Sequence, residues 1–282
     1  MSGVLYLCAT PIGNLGDITQ RVLDTLRSVD LIAAEDTRNT RSLLNHFDIH
    51  RPLTSYHEHN KYDKAEELIG LLRDGRNIAC VTDAGTPAIS DPGEVLCARC
   101  IEEGIRVTSL PGACALITAL TLSGMPSRRF SFEGFLPPDK KERAHVLEQL
   151  SAEERTMILY ESPHHLTGTL EELGRVLGTD RKLVLCRELT KKFEEAVPGT
   201  IASAQEFYRS SAPRGEYVLV LAGADPKERE EKRRAAWDGV DIEAHVALYE
   251  RQGLERKEAM KRAAADRGVP KREIYQALVK NK

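Results

Sequence analysis

The 282-residue chain contains no run of 18 apolar residues, so no transmembrane helix is expected. Its first residues, Met1-Ser2-Gly3-Val4-Leu5-Tyr6, carry no basic region and read as a strand, not as a signal peptide. Neither G-x-x-x-x-G-K-[ST] nor G-x-G-x-x-G occurs, which argues against a polyphosphate cradle. Internal repeats and low-complexity tracts are also lacking. The six cysteines are scattered through apparent strands and helices, as buried reduced thiols of a cytoplasmic protein would be. Cys97 and Cys100 form a C-x-x-C inside an apparent helix with no second pair near it, so neither metal nor redox chemistry is expected there.

What is present suffices for sizeable cores: 41% of residues are hydrophobic, and the length suggests two domains with an appendage. The net charge of −3 speaks against a generic nucleic-acid coat. Its distribution says more. Residues 251–282 hold ten Lys/Arg and four Asp/Glu, so this tail is +6 and the remainder −9. Such asymmetry suggests a polyanionic partner for the tail, against the alternative of a solvated helix face.

Residues 1–123 alternate strand and helix. Apolar runs predict strands at Val4–Cys8, Leu31–Ala34, Leu53–Tyr56, Asn77–Thr82 and Ile105–Ser109, with a helix over Ile18–Ser28 capped by Asp17. Five strands with crossover helices imply a mainly parallel sheet. The breakers Ser123-Gly124-Met125-Pro126-Ser127 then open a second α/β domain, 124–225. Its strands are expected near Phe130–Gly134, Thr156–Glu161, Lys182–Arg187 and Tyr217–Leu221. Residues 226–239 read as a charged linker and 240–282 as a helix-turn-helix-like module. In that module Ala264, Val269 and Ile274 would pack two helices around a turn at Gly268.

The unusual chemistry gathers where strands end. Asn77-Ile78-Ala79-Cys80-Val81-Thr82 runs into Asp83-Ala84-Gly85-Thr86-Pro87-Ala88-Ile89-Ser90-Asp91-Pro92-Gly93 and then into a helical pattern. Pro111-Gly112-Ala113 follows the fifth strand, and glycine and alanine there would let a flat ligand approach the backbone. In open α/β sheets ligands bind at such carboxyl ends, and these loops suit a nucleoside-like ligand without a polyphosphate. Ala9-Thr10-Pro11-Ile12-Gly13-Asn14-Leu15-Gly16-Asp17 is longer than a structural turn requires. Glu35-Asp36-Thr37-Arg38-Asn39-Thr40-Arg41 places acids and arginines at one strand terminus; the alternative is a cap cluster with Thr37 as N-cap. His57 and His59 would share a face if the third strand continued that far. A metal would need a third ligand the sequence does not place, so orienting RNA or substrate is the preferred reading. Leu159-Tyr160-Glu161-Ser162-Pro163-His164-His165 and Cys186-Arg187-Glu188-Leu189-Thr190-Lys191-Lys192-Phe193 each end a strand at an expected helix start. Seven such loops describe one cleft between two domains.

In this order, six of these motifs resemble the ribosomal RNA small subunit methyltransferase I family of the tetrapyrrole-methylase-like, class III S-adenosylmethionine enzymes. They are Ala9 to Asp17, Glu35 to Arg38, Asp83 to Pro87, Pro111 to Ala113, Tyr160 to His164 and Arg187 to Lys191. The resemblance covers about residues 3–223. It implies two α/β domains of tetrapyrrole methylase type with an interdomain cleft, and the tail resembles that family's C-terminal helical module. It also implies S-adenosylmethionine as methyl donor, a cytidine ribose 2′-oxygen of 16S ribosomal RNA in the small ribosomal subunit as acceptor, a homodimer, and no metal. Many tetrapyrrole methylases carry a Gly-rich first loop; Pro11-Ile12-Gly13-Asn14 stands here instead and favours RNA over a small tetrapyrrole.

From the family pattern and the strand-end logic, Asp83, Ala84, Gly85, Ile89 and Ser90 are expected to meet the donor's amino-acid part or ribose. Gly112 and Ala113, with Tyr160 and Leu189, would surround its adenine, and Pro11 would bound the methyl side. For Ile89 and Leu189 ordinary core is the alternative. Glu35 is the expected base, with Lys191 as a helper favouring the oxyanion, against helix capping or phosphate contact for each. Arg38, Arg41, His57, His59 and Lys191 are the expected RNA contacts. Two other functions stay open: methylation of a small tetrapyrrole in the same cleft, and a non-catalytic RNA-binding assembly factor.

Overall fold

The computed structural model describes residues 2–225, 231 and 234–280. Residues 226–230, 232 and 233 of the expected linker therefore lie outside the described residues. The chain divides into two compact units, 1–151 with 155–222, and 152–154 with 223–282.

The first unit holds two five-stranded sheets. β1 (Val4–Cys8), β2 (Leu31–Ala34), β3 (Leu53–Ser55), β4 (Ile78–Val81) and β5 (Arg106–Leu110) form a parallel sheet in the order β3-β2-β4-β1-β5. Their near-continuous apolar runs suit a sheet covered on both faces. One face packs Leu68, Ile69 and Leu72 of α3 (Lys61–Arg73) and Leu96 and Cys100 of α4 (Gly93–Glu102). The other packs Val22, Leu23 and Leu26 of α1 (Gln20–Ser28) and Leu44 of α2 (Thr37–His46). Each such buried Leu or Ile contributes about 1.5–3 kcal/mol.

The caps differ from expectation. Asp17 ends a short 3₁₀ turn, Leu15–Asp17, and the Thr19 side chain caps α1 by accepting from Val22 N. Asp36, not Thr37, caps α2 by accepting from Arg38 N. Its carboxylate also satisfies the positive pole of the helix, which a threonine in the first turn does not.

β6 (Phe130–Phe135), β7 (Thr156–Glu161), β8 (Lys182–Arg187), β9 (Glu195–Thr200) and β10 (Tyr217–Leu221) form a mixed sheet in the order β6-β7-β10-β8-β9. β6 runs parallel to β7, β10 antiparallel to β7 and β8, and β9 antiparallel to β8. The sequence pattern did not indicate β9. Its residues, Glu195-Ala196-Val197-Pro198-Gly199-Thr200, are mostly exposed and hold a proline tolerable only on an edge strand. β8 accordingly leads through turns into β9 and not into the expected helix.

α5 (Ala115–Ser123) ends the first half of the chain but covers the second sheet. Leu116, Ala119 and Leu120 pack with Ile158, Val184, Cys186, Val218 and Val220. Gly124 then stops the helix in a left-handed conformation, φ 64°. The opposite face of this sheet is covered by α6 (Lys140–Ser151), α7 (Leu166–Leu177) and α8 (Ile201–Ser210).

The second unit contains helices Ile242–Arg251, Arg256–Arg267 and Lys271–Lys280. Val246, Ala259, Met260, Ala263, Ala264, Ile274 and Leu278 make its core, with Val269 packed against it, and Gly268 turns the chain at φ 62°. Among the described residues no helix is long and apolar enough to cross a membrane.

Candidate active site

Because β1, β2, β4 and β5 are parallel, their following loops leave the sheet at one edge. β4 and β5 both flank β1, so three of these loops are neighbours. Thr10 and Gly85 pair as an antiparallel bridge, with Thr10 N donating to Gly85 O at 2.9 Å and Gly85 N to Thr10 O at 3.1 Å. In the second sheet, the ends of β7 and β8 and the start of β10 lie at one edge, since Tyr217 is in register with Glu161 and Arg187. The two edges enclose a cleft of about 480 Å³, within the usual range for ligand sites.

Glu35, Thr82, Asp83, Ala84, Gly85, Ile89, Ser90 and Asp91 line it from the first sheet's loops, with Ile12, Cys114 and Ala115. Phe135, Tyr160, Glu161, Glu188, Leu189, Lys191, Glu216 and Tyr217 line it from the second. Nine residues singled out in the sequence thus meet in one cavity: Glu35, Asp83, Ala84, Gly85, Ile89, Ser90, Tyr160, Leu189 and Lys191.

The carboxylates are held in place. Glu35 Oε2 accepts from Thr82 Oγ1 at 2.6 Å and from Asp83 N at 3.3 Å. Its Oε1 has no partner among the described residues. Asp83 Oδ1 accepts from Asp36 N at 3.1 Å and Oδ2 from Asn39 Nδ2 at 3.0 Å. Burial raises the Asp83 pKa, with the Glu35 and Asp36 charges adding to it and the Asn39 and Asp36 hydrogen bonds opposing.

Lys191, the expected oxyanion helper, is paired with two acids. Its Nζ donates to Glu188 Oε1 at 3.0 Å and to Glu216 Oε2 at 3.4 Å. Burial pushes the ammonium's pKa down, but the Glu188 hydrogen bond and the two carboxylate charges outweigh it, so the net shift is upward. Its stem lies over Gly13, where a Cβ would come within 2.4 Å of Lys191 Cγ.

Tyr160 stacks edge-on against Phe132 and Phe135, with centroids 4.9 and 5.6 Å away, and its hydroxyl accepts from Leu116 N at 3.1 Å. Burial pushes its pKa up to about 12. Leu189 belongs to the core cluster around α5 while also facing the cleft, whereas Ile89 is 38% exposed and is not core.

The other candidates lie elsewhere. Pro11 lines a separate hollow of about 170 Å³ with Thr10, Leu15, Asn39 and Leu43; this hollow shares Thr82 and Asp83 with the main cleft. Gly112 is not among the residues lining the cleft; a Cβ on it would meet Ala9 Cβ at 2.7 Å, so this glycine lets the strand end at Ala9 approach closely. Ala113 contributes its carbonyl, which accepts from Thr86 Oγ1 at 3.0 Å. Arg38 is paired with Asp36 at 2.6 Å, and Arg41 is exposed on α2; neither lines the cleft. β3 ends at Ser55, so His57 and His59 stand in a turn and not on a strand face. Their rings are 6.0 Å apart and also outside the cleft. Among the described residues no group of three or more His, Cys, Asp or Glu could hold a metal ion.

Asp91, Phe135, Glu161, Glu188, Glu216 and Tyr217 line the cleft but were not singled out in the sequence as ligand contacts. Asp91, Glu161 and Glu188 did lie within motifs the sequence singled out, whereas nothing in the sequence marked Phe135, Glu216 or Tyr217 as part of a site.

Comparison with known proteins accords with this geometry. Residues 4–205 match the family model described as Tetrapyrrole (Corrin/Porphyrin) Methylases. The chain is 47% identical over 274 residues to "Ribosomal RNA small subunit methyltransferase I" of Synechocystis sp., covering 97% of this chain and 96% of that one. It is 50% identical over 273 residues to the protein of that name from Halalkalibacterium halodurans, with coverages of 97% and 93%. Among solved structures, diphthine synthase superposes with a TM-score of 0.63 at 13% identity, over 78% of this chain and 90% of that one. Uroporphyrin-III-C-methyltransferase from Thermus thermophilus gives 0.56 at 19% identity, over 77% and 94%. The chain belongs to the tetrapyrrole (corrin/porphyrin) methylase family and, within it, to the group of ribosomal RNA small subunit methyltransferase I proteins.

Proposed function

We propose that this protein is an S-adenosylmethionine-dependent methyltransferase of small-subunit ribosomal RNA, and that the methyl group goes to the ribose 2′-oxygen of a cytidine in 16S RNA. The observation that supports the methyltransferase reading is near full-length identity of 47–50% to proteins named ribosomal RNA small subunit methyltransferase I. The residues present fit the donor. Gly85 lies at φ 90°, where an added Cβ would stand 3.3 Å from Ile12 Cγ2 and 3.6 Å from Ala113 O, filling the cradle. Glu35 and Asp83 supply negative charge suited to an ammonium and a sulfonium, and Ile12, Ile89, Leu189 and Tyr160 supply apolar wall. When bound, the donor supplies an electrophilic methyl carbon that needs no metal or further cofactor.

The chain's own residues have three tasks. The loops after β1, β4 and β5, with Tyr160 and Leu189, hold the donor and exclude water. Glu35 keeps one carboxylate oxygen free of protein partners and accepts the hydroxyl proton of the acceptor. Lys191, held charged by Glu188 and Glu216, favours the developing oxyanion. Most of the rate gain comes from aligning the reacting atoms. Residues 1–123 and 124–225 act as two domains whose facing edges make the cleft. Arg41 and Arg38 contact RNA from the rim, and the active form is a cytoplasmic homodimer. Mass analysis of nucleosides from 16S RNA of cells with and without the protein tests this reading. One 2′-O-methylcytidine should disappear when the protein is removed; an unchanged nucleoside profile rejects the function.

A further inference from the structure

Backbone strain is concentrated around the cleft. Five non-glycine residues have positive φ among the described residues. Four of them, Ala88 (69°), Ser90 (66°), Glu188 (51°) and Thr190 (64°), belong to two of its lining loops, those after β4 and β8. Left-handed conformations are unfavourable for residues with a Cβ and persist only where surrounding contacts enforce them. In the loop after β4 the enforcing group is visible. Asp91 Oδ1 accepts from Ala88 N at 3.0 Å and from Gly93 N at 2.8 Å, and Oδ2 accepts from Ile89 N at 3.1 Å. One carboxylate therefore gathers three amides that straddle Ser90.

The neighbouring residues make room for this arrangement. A Cβ on Gly93 would stand 2.7 Å from Asp91 Oδ1, so a glycine is required there. Gly134, at φ 61° in the irregular stretch of β6, would place a Cβ 3.1 Å from Ser90 Oγ, so the second sheet also leaves space for the loop. The buried Tyr56 hydroxyl donates to Pro92 O at 2.9 Å and fixes the loop's exit to the core. Burial raises the Asp91 pKa while the three amides oppose it.

We infer that Asp91 is a positioning residue that pre-forms the donor loop, holding Ala88 and Ser90 in left-handed conformations, with Ile89 between them, before any ligand arrives. The inference rests on the donor reading above and names a residue that reading does not use. A loop fixed in advance does not have to be ordered on binding, so its rigidity appears as affinity.

The test is calorimetry with S-adenosylhomocysteine on the full chain, together with amide hydrogen exchange at Ala88, Ile89 and Gly93. In Asp91→Asn the amide cannot serve all three donors. One orientation sets an NH₂ against Ile89 N–H, the other against Ala88 and Gly93. Affinity should fall about tenfold or more, and the three amides should exchange faster in the unliganded protein. Adding Ala88→Gly to Asp91→Asn should restore about threefold or more of that affinity, because glycine takes φ 69° unaided. A merely structural aspartate gives no such rescue. Asp91→Asn affinity within twofold of the wild type, or a loss that Ala88→Gly does not relieve, overturns the inference. If Asp91→Asn does not fold, Ala88→Val in the native chain carries the test: a β-branched residue at this φ should weaken binding, and unchanged affinity overturns it. Failure of the wild type itself to bind S-adenosylhomocysteine would instead reject the donor reading.

Discussion

The two-sheet unit and the C-terminal three-helix unit solve different problems with different materials. The first buries large aliphatic side chains on both faces of each sheet and holds strained loops against that mass. All five left-handed non-glycine residues described lie in it. The second has a small core with three alanines, and its described residues turn only at Gly239, Gly253 and Gly268 where φ is positive. At its centre is a polar group. Fully buried His245 stacks on Trp237 at 3.4 Å, accepts at Nδ1 from Arg267 Nε at 3.1 Å, and has Nε2 3.5 Å from Asp266 Oδ2. The contrast teaches that a ligand cradle needs a core large enough to fix backbone in costly conformations. A small basic bundle has no such reserve and offers only what its exposed side chains carry.

The largest effect should come from breaking the strained cradle. Gly85→Val places a β-branched residue at φ 90° against Ile12 and the Ala113 carbonyl. S-adenosylhomocysteine affinity should fall by roughly a hundredfold in a folded variant, combining backbone strain with lost space. Calorimetry reads this, and undiminished binding would remove the donor from this loop.

Next comes the acceptor side of the same unit. Lys191→Ala removes the ammonium and leaves Glu188 and Glu216 facing each other, so methyl transfer to RNA should drop on the order of a hundredfold. Donor affinity should stay within about threefold, since uniform donor contacts survive. Arg38→Ala, already paired with Asp36 and outside the cleft, should cost only a few-fold. Equal loss of donor binding in both variants would put these residues in the wrong place.

A middle-sized effect tests the basic unit. Deleting residues 240–282 should weaken RNA binding and flatten its salt dependence, while leaving donor affinity intact. Three lost phosphate contacts change the slope of log affinity against log salt by roughly 2–3 units. A lower melting temperature with an unchanged slope would make the helices a stabilising cap and remove the charge argument for RNA.

The smallest effect concerns His245. Burial and the Arg267 charge hold its pKa below the ordinary 6.5, with Asp266 opposing. Asp266, Arg267, Tyr249 and Trp237 are the groups that face it. The unfolded chain then binds the proton at higher pH than the folded one, so the stabilisation is present above about pH 6.5 and fades as pH falls below it. Fluorescence of Trp237, the chain's only tryptophan, should report a melting midpoint several degrees lower at pH 5.5 than at pH 8. His245→Phe should remove that difference; a pH-independent midpoint in the native chain would show that His245 is not what titrates.

Most of the strands could be read from the sequence because their signals are local. Four-to-six-residue apolar runs closed by Gly, Pro and Asp marked β1, β2, β7, β8 and β10 to the residue. The chemistry-bearing loops were legible for the same reason, since a parallel strand sends its functional residues to its carboxyl end. Elements whose identity depends on distant neighbours were not. β9 is a strand only because β8 offers it a ladder. α5 is hydrophobic almost all round, and only packing decided that it covers the second sheet.

The sequence by itself thus determined the class of fold, the order of the strands along the chain and the loops that could meet a ligand. The tertiary structure alone decided which of those loops share a cavity. It closed the cleft with Phe135, Glu216 and Tyr217, left His57, His59 and Arg38 outside, and paired Lys191 with two acids. It also turned Asp91 from one polar residue among several into the clamp of three amides. Periodicity and turn chemistry act over a few residues, whereas charge pairing and cavity shape depend on which distant segments the sheet register brings together.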